Sequence, residues 1–158
     1  MATLVLAKGA RMAEQQYQIL LAEDNPADVY LVRKALEAAD LAESLEIVDD
    51  GEKAVTYIEE ADRNEKAPRP DLLLLDLNLP RKSGHEVLAR LRLSPNFGSI
   101  PVVIISSSGS PRDQASAINL GANRYFQKPS DYHQYMQLGS IVQDVLREYR
   151  DKLNQVPR

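Results

Sequence analysis

Short apolar runs alternate along this chain with longer segments in which apolar residues recur every three or four positions. Apolar runs of this kind are typical of strands buried on both faces of a parallel sheet, and the three-to-four spacing is typical of helices packed against it. The alternation therefore predicts an α/β fold of five strand–helix units. The predicted strands are residues 18–22, 45–48, 72–75, 102–105 and 124–127.

Capping residues indicate where the helices begin. Asn, Ser and Asp accept hydrogen bonds from the free amides of a first helical turn, and proline is favoured at the first helical position. Ser83 and Glu86 have the spacing of a capping box. The predicted starts are Asn25-Pro26, Asp49-Asp50-Gly51, Ser83, Ser110-Pro111 and Ser130; Gly121 is expected to end the fourth helix, and the fifth is predicted to run to about Arg150.

The length of the chain fits one domain. Its 158 residues can enclose a single core without a metal or disulfide to stabilise it. We expect an N-terminal arm or extension at residues 1–17, the domain at residues 18–150 and a C-terminal tail at residues 151–158. The polar, proline-containing connection at residues 62–70 is predicted to be a surface loop. Since so little chain follows the fifth helix, we expect no output domain there.

Composition excludes several kinds of site. The absence of cysteine rules out a disulfide framework, a thiol nucleophile and any cysteine-containing zinc site, and His85 and His133 lie far apart in sequence. With 19 basic and 23 acidic residues the formal charge is −4, and the basic residues are scattered, which argues against nucleic-acid binding. No segment is typical of a membrane span or a secretory signal, so we expect a soluble cytoplasmic protein.

Polar residues directly follow four of the predicted strands. Glu23 and Asp24 follow the first, Asp76 the third, Ser106 the fourth and Lys128 the fifth. Because ligands of an open parallel α/β sheet bind at the carboxyl ends of its strands, we expect these side chains to share one site. Each alone has an ordinary explanation as a turn, cap or surface residue, but their combination favours a functional site.

The residue types indicate the chemistry of that site. Three carboxylates at one edge would repel one another unless a cation neutralised them, and a hard divalent ion with open coordination positions favours Mg²⁺. A hydroxyl and an ammonium group opposite the carboxylates would hold an anion. Together these groups describe a site for phosphoryl transfer.

The pattern resembles the receiver domains of two-component response regulators over residues 18–150. The resemblance is carried by Glu23-Asp24, by the Leu72-Leu73-Leu74-Leu75-Asp76-Leu77-Asn78-Leu79-Pro80 segment with Gly84, and by Ser106, Tyr125 and Lys128-Pro129. It implies a flavodoxin-like, doubly wound (βα)5 fold with a five-stranded parallel sheet in the order 2-1-3-4-5.

The resemblance also implies a role for each matching position. Asp76 would accept a phosphoryl group from a phosphohistidine of a sensor histidine kinase. Asp24, Asp76 and the backbone carbonyl of Asn78 would bind Mg²⁺, and Glu23 would support the ion through water. Receivers are switch proteins rather than enzymes with a separate substrate.

Three further positions complete the implied mechanism. Ser106 and Lys128 would each hold a phosphoryl oxygen. Tyr125 lies at the position of the aromatic switch, and phosphorylation would change the surface formed by the fourth helix, fifth strand and fifth helix. The Lys128–Pro129 peptide bond would be cis.

A finer resemblance connects the chain with stand-alone regulators paired with bacterial phytochromes. It is carried by the Asn25-Pro26-Ala27-Asp28-Val29 segment, by residues 67–71 and by residues 76–88. A phytochrome-type histidine kinase is therefore the expected partner. The alternative is a phosphate shuttle or sink in a phosphorelay with another type of histidine kinase.

The fifth helix suggests a second partner. A stripe wider than the face that packs on the sheet would need another surface to cover it, so we expect a homodimer through this helix. The stripe consists of Tyr135, Leu138, Val142, Val145 and Tyr149, flanked by Ile141 and Leu146.

Two other function classes fit part of the pattern. A phosphatase with an aspartyl-phosphate intermediate could share this arrangement, but such enzymes commonly use Asp-x-Asp, and Asp76-Leu77-Asn78 lacks the second acid. A nucleotide or small-molecule binder is the other, but the chain has neither a G-x-G-x-x-G fingerprint nor a P-loop.

Overall fold

A computed structural model describes residues 16–155 of the chain. The predicted arm at residues 1–17 and tail at residues 151–158 lie partly outside the described residues. Five strands alternate with five helices. These are β1 Ile19–Ala22, α1 Pro26–Ala38, β2 Leu45–Val48, α2 Gly51–Arg63, β3 Leu72–Asp76, α3 Gly84–Arg92, β4 Val102–Ser106, α4 Pro111–Asn119, β5 Arg124–Gln127 and α5 Tyr132–Asn154.

All five strands pair in parallel in the order β2-β1-β3-β4-β5. This confirms the flavodoxin-like fold class and the predicted strand order. Because β1 and β3 are neighbours although β2 lies between them in sequence, the direction of chain winding reverses there. The crevice at such a switch point is where ligands of these sheets bind.

Alternate residues of the buried strands face two separate cores. One core packs β1, β3 and β4 against α2, α3 and α4, and the other packs the opposite face of these strands against α1 and α5. Leu20 faces the first core and Leu21 the second, as expected when successive strand residues point to opposite faces. The apolar runs are therefore continuous because both faces of the sheet are covered.

Four of the five predicted helix starts are confirmed, with Asn25, Asp50, Ser83 and Ser110 as the N-caps. The Asn25 side chain accepts hydrogen bonds from the amides of Ala27 and Asp28, which have no partner within the helix. Ser83 and Glu86 form the reciprocal capping box. Gly121, beyond the end of α4, has a φ of 99°, a conformation that glycine adopts without steric cost.

Several boundaries differ from the sequence prediction, and β1 begins at Ile19 rather than at residue 18. The ladder places Asp76 opposite Ile105 and Ser106 opposite Gln127, so β3 and β4 are each one residue longer than expected. The fifth helix begins after its cap Asp131, whose side chain accepts from the Gln134 amide, and continues to Asn154. The prediction that it begins at Ser130 and ends near Arg150 was therefore wrong.

The expected cis bond at Lys128–Pro129 was also wrong, since every peptide bond of the described residues is trans. Trans is the form that X–Pro bonds favour by about 0.5–1 kcal/mol.

No helix in the described part of the chain is long and apolar enough to cross a membrane.

Most of the stripe on α5 is buried within the chain itself. The core shared with α1 contains Tyr135, Leu138, Val142 and Val145. It also contains Leu146, which the prediction placed on a flank of the stripe. Packing on the sheet and α1 therefore accounts for the width of the stripe, so that width does not by itself require a second copy.

Candidate functional site

The carboxyl ends of β1 and β3 bring together the three predicted acidic residues. One carboxylate oxygen from each of Glu23, Asp24 and Asp76 lies within 4.8 Å of the others. Glu23 and Asp76 are buried, whereas Asp24 is exposed to solvent. The parallel pairing of β1 with β3 creates this cluster, because it aligns Ala22 with Leu75 and so brings the following residues to the same edge.

Lys128 lies among these carboxylates, as its position after β5 predicted. Its Nζ atom is 2.7 Å from Glu23 Oε1, 2.9 Å from Asp28 Oδ2 and 3.4 Å from Asp76 Oδ2. The Lys128 side chain is largely buried. One ammonium group therefore faces three carboxylates, and Asp24 adds a fourth negative charge to the edge.

Burial sets the protonation behaviour of this cluster. It raises the pKa of Glu23 to about 7, against the opposing effects of Lys128 and the Asn25 amide, and the nearby charge of Asp76 raises it further. Burial opposes the charged form of Lys128, but the contacts with Glu23 and Asp28 prevail and the pKa of Lys128 is raised. Lys128 therefore remains an ammonium group.

The cluster fits a divalent cation with oxygen ligands. Glu23 Oε1 is buried without an aligned hydrogen bond, although it is close to the Lys128 ammonium. A buried carboxylate oxygen in this position is costly unless a cation satisfies it. The donor atoms are carboxylate oxygens, which are the ligands of Mg²⁺ and Ca²⁺.

The turn after β3 fixes the Asp76 side chain. Its Oδ1 atom accepts a hydrogen bond from the Asn78 amide at 3.1 Å, while the Gly84 amide donates to the Leu77 carbonyl. A Cβ atom at Gly84 would lie 2.4 Å from the Asp76 carbonyl oxygen. Only glycine therefore allows α3 to begin so close to Asp76.

Ser106 and Tyr125 are connected by the loop that follows β4. Ser106 is fully buried, and its hydroxyl oxygen accepts from the Ser108 amide at 3.1 Å. The Tyr125 hydroxyl donates to the Ser108 carbonyl at 2.9 Å. The Lys128 amide donates to the Ser106 carbonyl at 2.7 Å, so this loop is joined directly to the lysine position.

The family model described as the response regulator receiver domain matches residues 19–138 of the chain. The chain belongs to the response regulator receiver family.

Relatives of this receiver include the response regulator Rcp1 of a Synechocystis strain. It is 40% identical over 110 residues, which are 70% of this chain and 75% of Rcp1. The solved structure of the phosphorylated cyanobacterial phytochrome response regulator RcpA is 36% identical, with a TM-score of 0.73 over 82% of this chain and 92% of that one. The Mn²⁺-bound form of Rcp1 is 35% identical, with a TM-score of 0.70 over 80% and 91%.

Two residues of this receiver reach the cluster without having been predicted there. Asp28 was identified from the sequence only within the segment that resembles phytochrome-paired regulators, and Tyr135 only as part of the α5 stripe. The structure places the Tyr135 hydroxyl 3.1 Å from Asp28 Oδ1. Burial, followed by the charge of Asp28, raises the pKa of Tyr135. The hydroxyl therefore keeps its proton and donates a hydrogen bond to Asp28.

Both residues carried a signal in the sequence. Asp28 lies in the first turn of the helix that begins just after β1, so it stays close to the carboxyl edge of the sheet. Tyr135 is one of two tyrosines in a stripe of otherwise aliphatic residues, and a buried tyrosine hydroxyl usually has a hydrogen-bond partner.

Proposed function

We propose that this receiver accepts a phosphoryl group on Asp76 from a phosphohistidine of a sensor histidine kinase, with Mg²⁺ as its cofactor. One observation supports this most directly: the buried Asp76 carboxylate shares a cluster with Glu23 and Asp24 and lies 3.4 Å from the Lys128 ammonium. A nucleophilic oxygen at Asp76 would therefore have both an anion-binding group and ligands for a cation beside it. The phosphatase and nucleotide-binder alternatives have no comparable support.

In the proposed step, a carboxylate oxygen of Asp76 forms a bond to phosphorus as the phosphorus–nitrogen bond to histidine breaks. The electron pair of the broken bond remains on the imidazole. Lys128 pairs with one phosphoryl oxygen, and the Ser106 hydroxyl donates to another. These fixed partners stabilise charge on the transferring group without having to be reorganised from water.

Asp24, Asp76 and the backbone carbonyl of Asn78 would hold the Mg²⁺ ion, and Glu23 would support it through water. When bound, the ion neutralises negative charge on the phosphoryl oxygens. Asp24 suits direct binding because it is exposed at the mouth of the cluster. Glu23 suits an indirect role because its side chain, unlike that of Asp24, is buried.

The phosphoryl group would act as a switch by adding about −1.5 to −2 charges and three acceptor oxygens at Asp76. Ser106 would then turn its hydroxyl toward the new oxygens and draw the following loop with it. Since Tyr125 donates to the Ser108 carbonyl of that loop, its hydrogen bond must change. The surface formed by α4, β5 and α5 would carry the signal to another protein, with self-phosphorylation and self-dephosphorylation as the only turnover.

The partner we propose is a phytochrome-type histidine kinase. Support comes from the similarity to the cyanobacterial phytochrome response regulator RcpA over most of both chains. A shuttle or sink in a phosphorelay with another histidine kinase is the second candidate. Phosphotransfer profiling against purified histidine kinases separates them, because a preference for phytochrome kinases is expected only in the first case.

A homodimer through α5 stays a prediction. Its remaining support is the outer side of the helix, where Ile141 and Tyr149 are half-buried and Leu153 is exposed. Light scattering at micromolar concentration, with and without beryllofluoride, tests it. A monomer mass under both conditions would contradict it.

Labelling with acetyl phosphate and Mg²⁺ tests the phosphoacceptor. We expect the intact protein to gain the mass of one phosphoryl group and Asp76→Asn to gain none, because the amide is not a competent nucleophile. Asp144→Asn, which neutralises an exposed carboxylate on α5, is the matched control and should be labelled like the wild type. Mg²⁺-dependent labelling of Asp76→Asn would refute the assignment.

A further inference from the structure

The two carboxylate oxygens of Asp28 contact two different side chains. Its Oδ2 atom lies 2.9 Å from Lys128 Nζ, and its Oδ1 atom accepts a hydrogen bond from the Tyr135 hydroxyl at 3.1 Å. Asp28 belongs to α1 and Tyr135 to α5. The three side chains therefore form a continuous series of polar contacts from α5 to the ammonium group beside Asp76.

Asp28 differs from the other acidic residues of this edge. Among the described residues, the oxygens close enough to share a cation come from Glu23, Asp24 and Asp76. Both oxygens of Asp28 instead already face hydrogen-bond donors. Its contacts are those of a residue that holds another side chain in place.

Tyr135 is itself held firmly. It is fully buried in the core between α1 and α5, and its ring packs edge-on against Phe126 with the centroids 5.6 Å apart. Phe126 lies in β5, two residues before Lys128. The Tyr135 hydroxyl thus has little freedom to leave Asp28, and Asp28 in turn has little freedom to leave Lys128.

These contacts leave Lys128 aimed at the phosphoacceptor. An ammonium group has three N–H bonds. Lys128 donates one hydrogen bond to Asp28 at 2.9 Å and a longer one to Asp76 at 3.4 Å, while its 2.7 Å contact with Glu23 is an ion pair without an aligned hydrogen bond. Because a free lysine loses much rotamer freedom when it is fixed, fixing it beforehand makes phosphoryl binding more favourable.

We propose that Asp28 and Tyr135 are a pair of positioning residues that hold the Lys128 ammonium toward Asp76 and so accelerate its phosphorylation. This inference rests on the proposed function of Asp76. The route from α5 through Asp28 is separate from the contact of Tyr125 with the loop after β4. The pair acts only through Lys128, which is what an experiment can test.

The rate of labelling by acetyl phosphate and Mg²⁺ gives the first measurement. Asp28→Asn keeps the shape of the side chain and removes the charge that holds Lys128. We expect labelling to slow by about three- to tenfold, the effect of an ordinary hydrogen bond, because the amide oxygen of the variant can still accept from Lys128. Tyr135→Phe frees Asp28 and should slow labelling by about twofold. An unchanged rate in Asp28→Asn would overturn the proposal.

Two variants on α1 are matched controls. Glu37→Gln neutralises a carboxylate that, within residues 16–155, forms its ion pair with Lys34, and Tyr30→Phe removes the hydroxyl of an exposed tyrosine. Both should be labelled at the wild-type rate. If they slow labelling as much as Asp28→Asn, changes anywhere on α1 would explain the effect and the proposal would fail.

A double-mutant cycle distinguishes positioning from a general weakening of the contact between α1 and α5. In a Lys128→Ala background, Asp28→Asn should slow labelling by less than about twofold, because residues that act through one another are not additive. The full effect of Asp28→Asn in that background would contradict the proposal.

The side-chain ¹⁵N resonance of Lys128 gives a measurement that does not need phosphorylation. In the unphosphorylated protein, Asp28→Asn and Tyr135→Phe should shift or broaden this resonance, whereas Glu37→Gln should not. An unchanged resonance in Asp28→Asn would overturn the proposed positioning. Failure of the wild type to be labelled would refute the proposed function, while this resonance would still report whether Asp28 fixes Lys128.

Discussion

The charged side chains at the two edges of the sheet have different kinds of partner. At the amino edge, where the strands begin, the Arg92 guanidinium donates to the carbonyls of Gly98, Ile100 and Gly121, at 3.0, 2.7 and 2.6 Å. Burial lowers the pKa of Arg92, and the opposing effect comes from Tyr149 rather than from a carboxylate of the described residues. Its charge is spread over neutral acceptors that would otherwise be left without partners.

Other polar groups of the amino edge are satisfied in the same manner. Asp62 accepts from the Ser94 hydroxyl at 2.8 Å and from the Asn96 side chain at 3.2 Å. Asp71 accepts from the Gln18 amide at 2.8 Å, just before β1 and β3 begin. Each contact joins two segments of the chain that lie far apart in sequence. The amino edge therefore serves stability.

The carboxyl edge concentrates like charges instead. Glu23, Asp28 and Asp76 share the single Lys128 ammonium, and Asp24 lies beside them. Such crowding costs stability until a cation relieves it. The difference shows that one fold can place its stabilising contacts at one edge and keep the reactive, poorly balanced cluster at the other.

The largest effect should follow from breaking the amino edge. Arg92→Ala leaves three carbonyls without their donor, so we expect the free energy of unfolding to fall by about 2–4 kcal/mol. Urea denaturation measures it. Arg90→Ala is the matched control, since Arg90 only faces Glu59 at 3.8 Å and should cost far less. Equal losses in the two variants would show that the carbonyl contacts of Arg92 are not what stabilises this edge.

A smaller effect should follow from relieving the carboxyl edge. Mg²⁺ at about ten times its Kd should raise the free energy of unfolding of the wild type by about 1.4 kcal/mol. Asp24→Asn should gain much less, because it lacks a proposed ligand, while being no less stable than the wild type in EDTA. Denaturation with and without Mg²⁺ measures both. Asp144→Asn should respond to Mg²⁺ like the wild type; a full response in Asp24→Asn would contradict the proposed ion site.

A third effect should appear in the pH dependence of the metal-free protein. The pKa of Glu23 is raised from 4.5 to about 7, so the folded protein holds this proton more tightly than the unfolded chain does. Its contribution to stability is therefore complete below pH 4.5 and is lost as the pH rises through 7.

Denaturation in EDTA across this range isolates the contribution. Between about pH 5 and pH 8 the wild type should lose roughly 2 kcal/mol relative to Glu23→Gln, which cannot titrate. Glu37→Gln is the control and should follow the wild type at every pH. Parallel curves for the wild type and Glu23→Gln would show that burial does not control the protonation of Glu23.

The site was largely predictable because the residues that follow buried strands are already ordered by the parallel sheet. Glu23, Asp76 and Lys128 were placed correctly from the apolar runs that precede them. Asp28 and Tyr135 were not, since the contact between them joins residues 107 positions apart, on helices whose packing the periodicity alone does not specify. The position of Leu146 was predicted wrongly for the same reason: it was expected on a flank of the α5 stripe but lies in the core that α1 and α5 share.

The amino-acid sequence by itself determined the succession of strands and helices, the caps that begin the helices and the residue types at the strand ends, because these depend on local periodicity and hydrogen bonding. The tertiary structure alone decided how charge is shared between the two edges. Whether a carboxylate faces an ammonium group, another carboxylate or a backbone amide depends on which elements are packed together. That packing gives Lys128 three acidic neighbours and Arg92 three neutral ones.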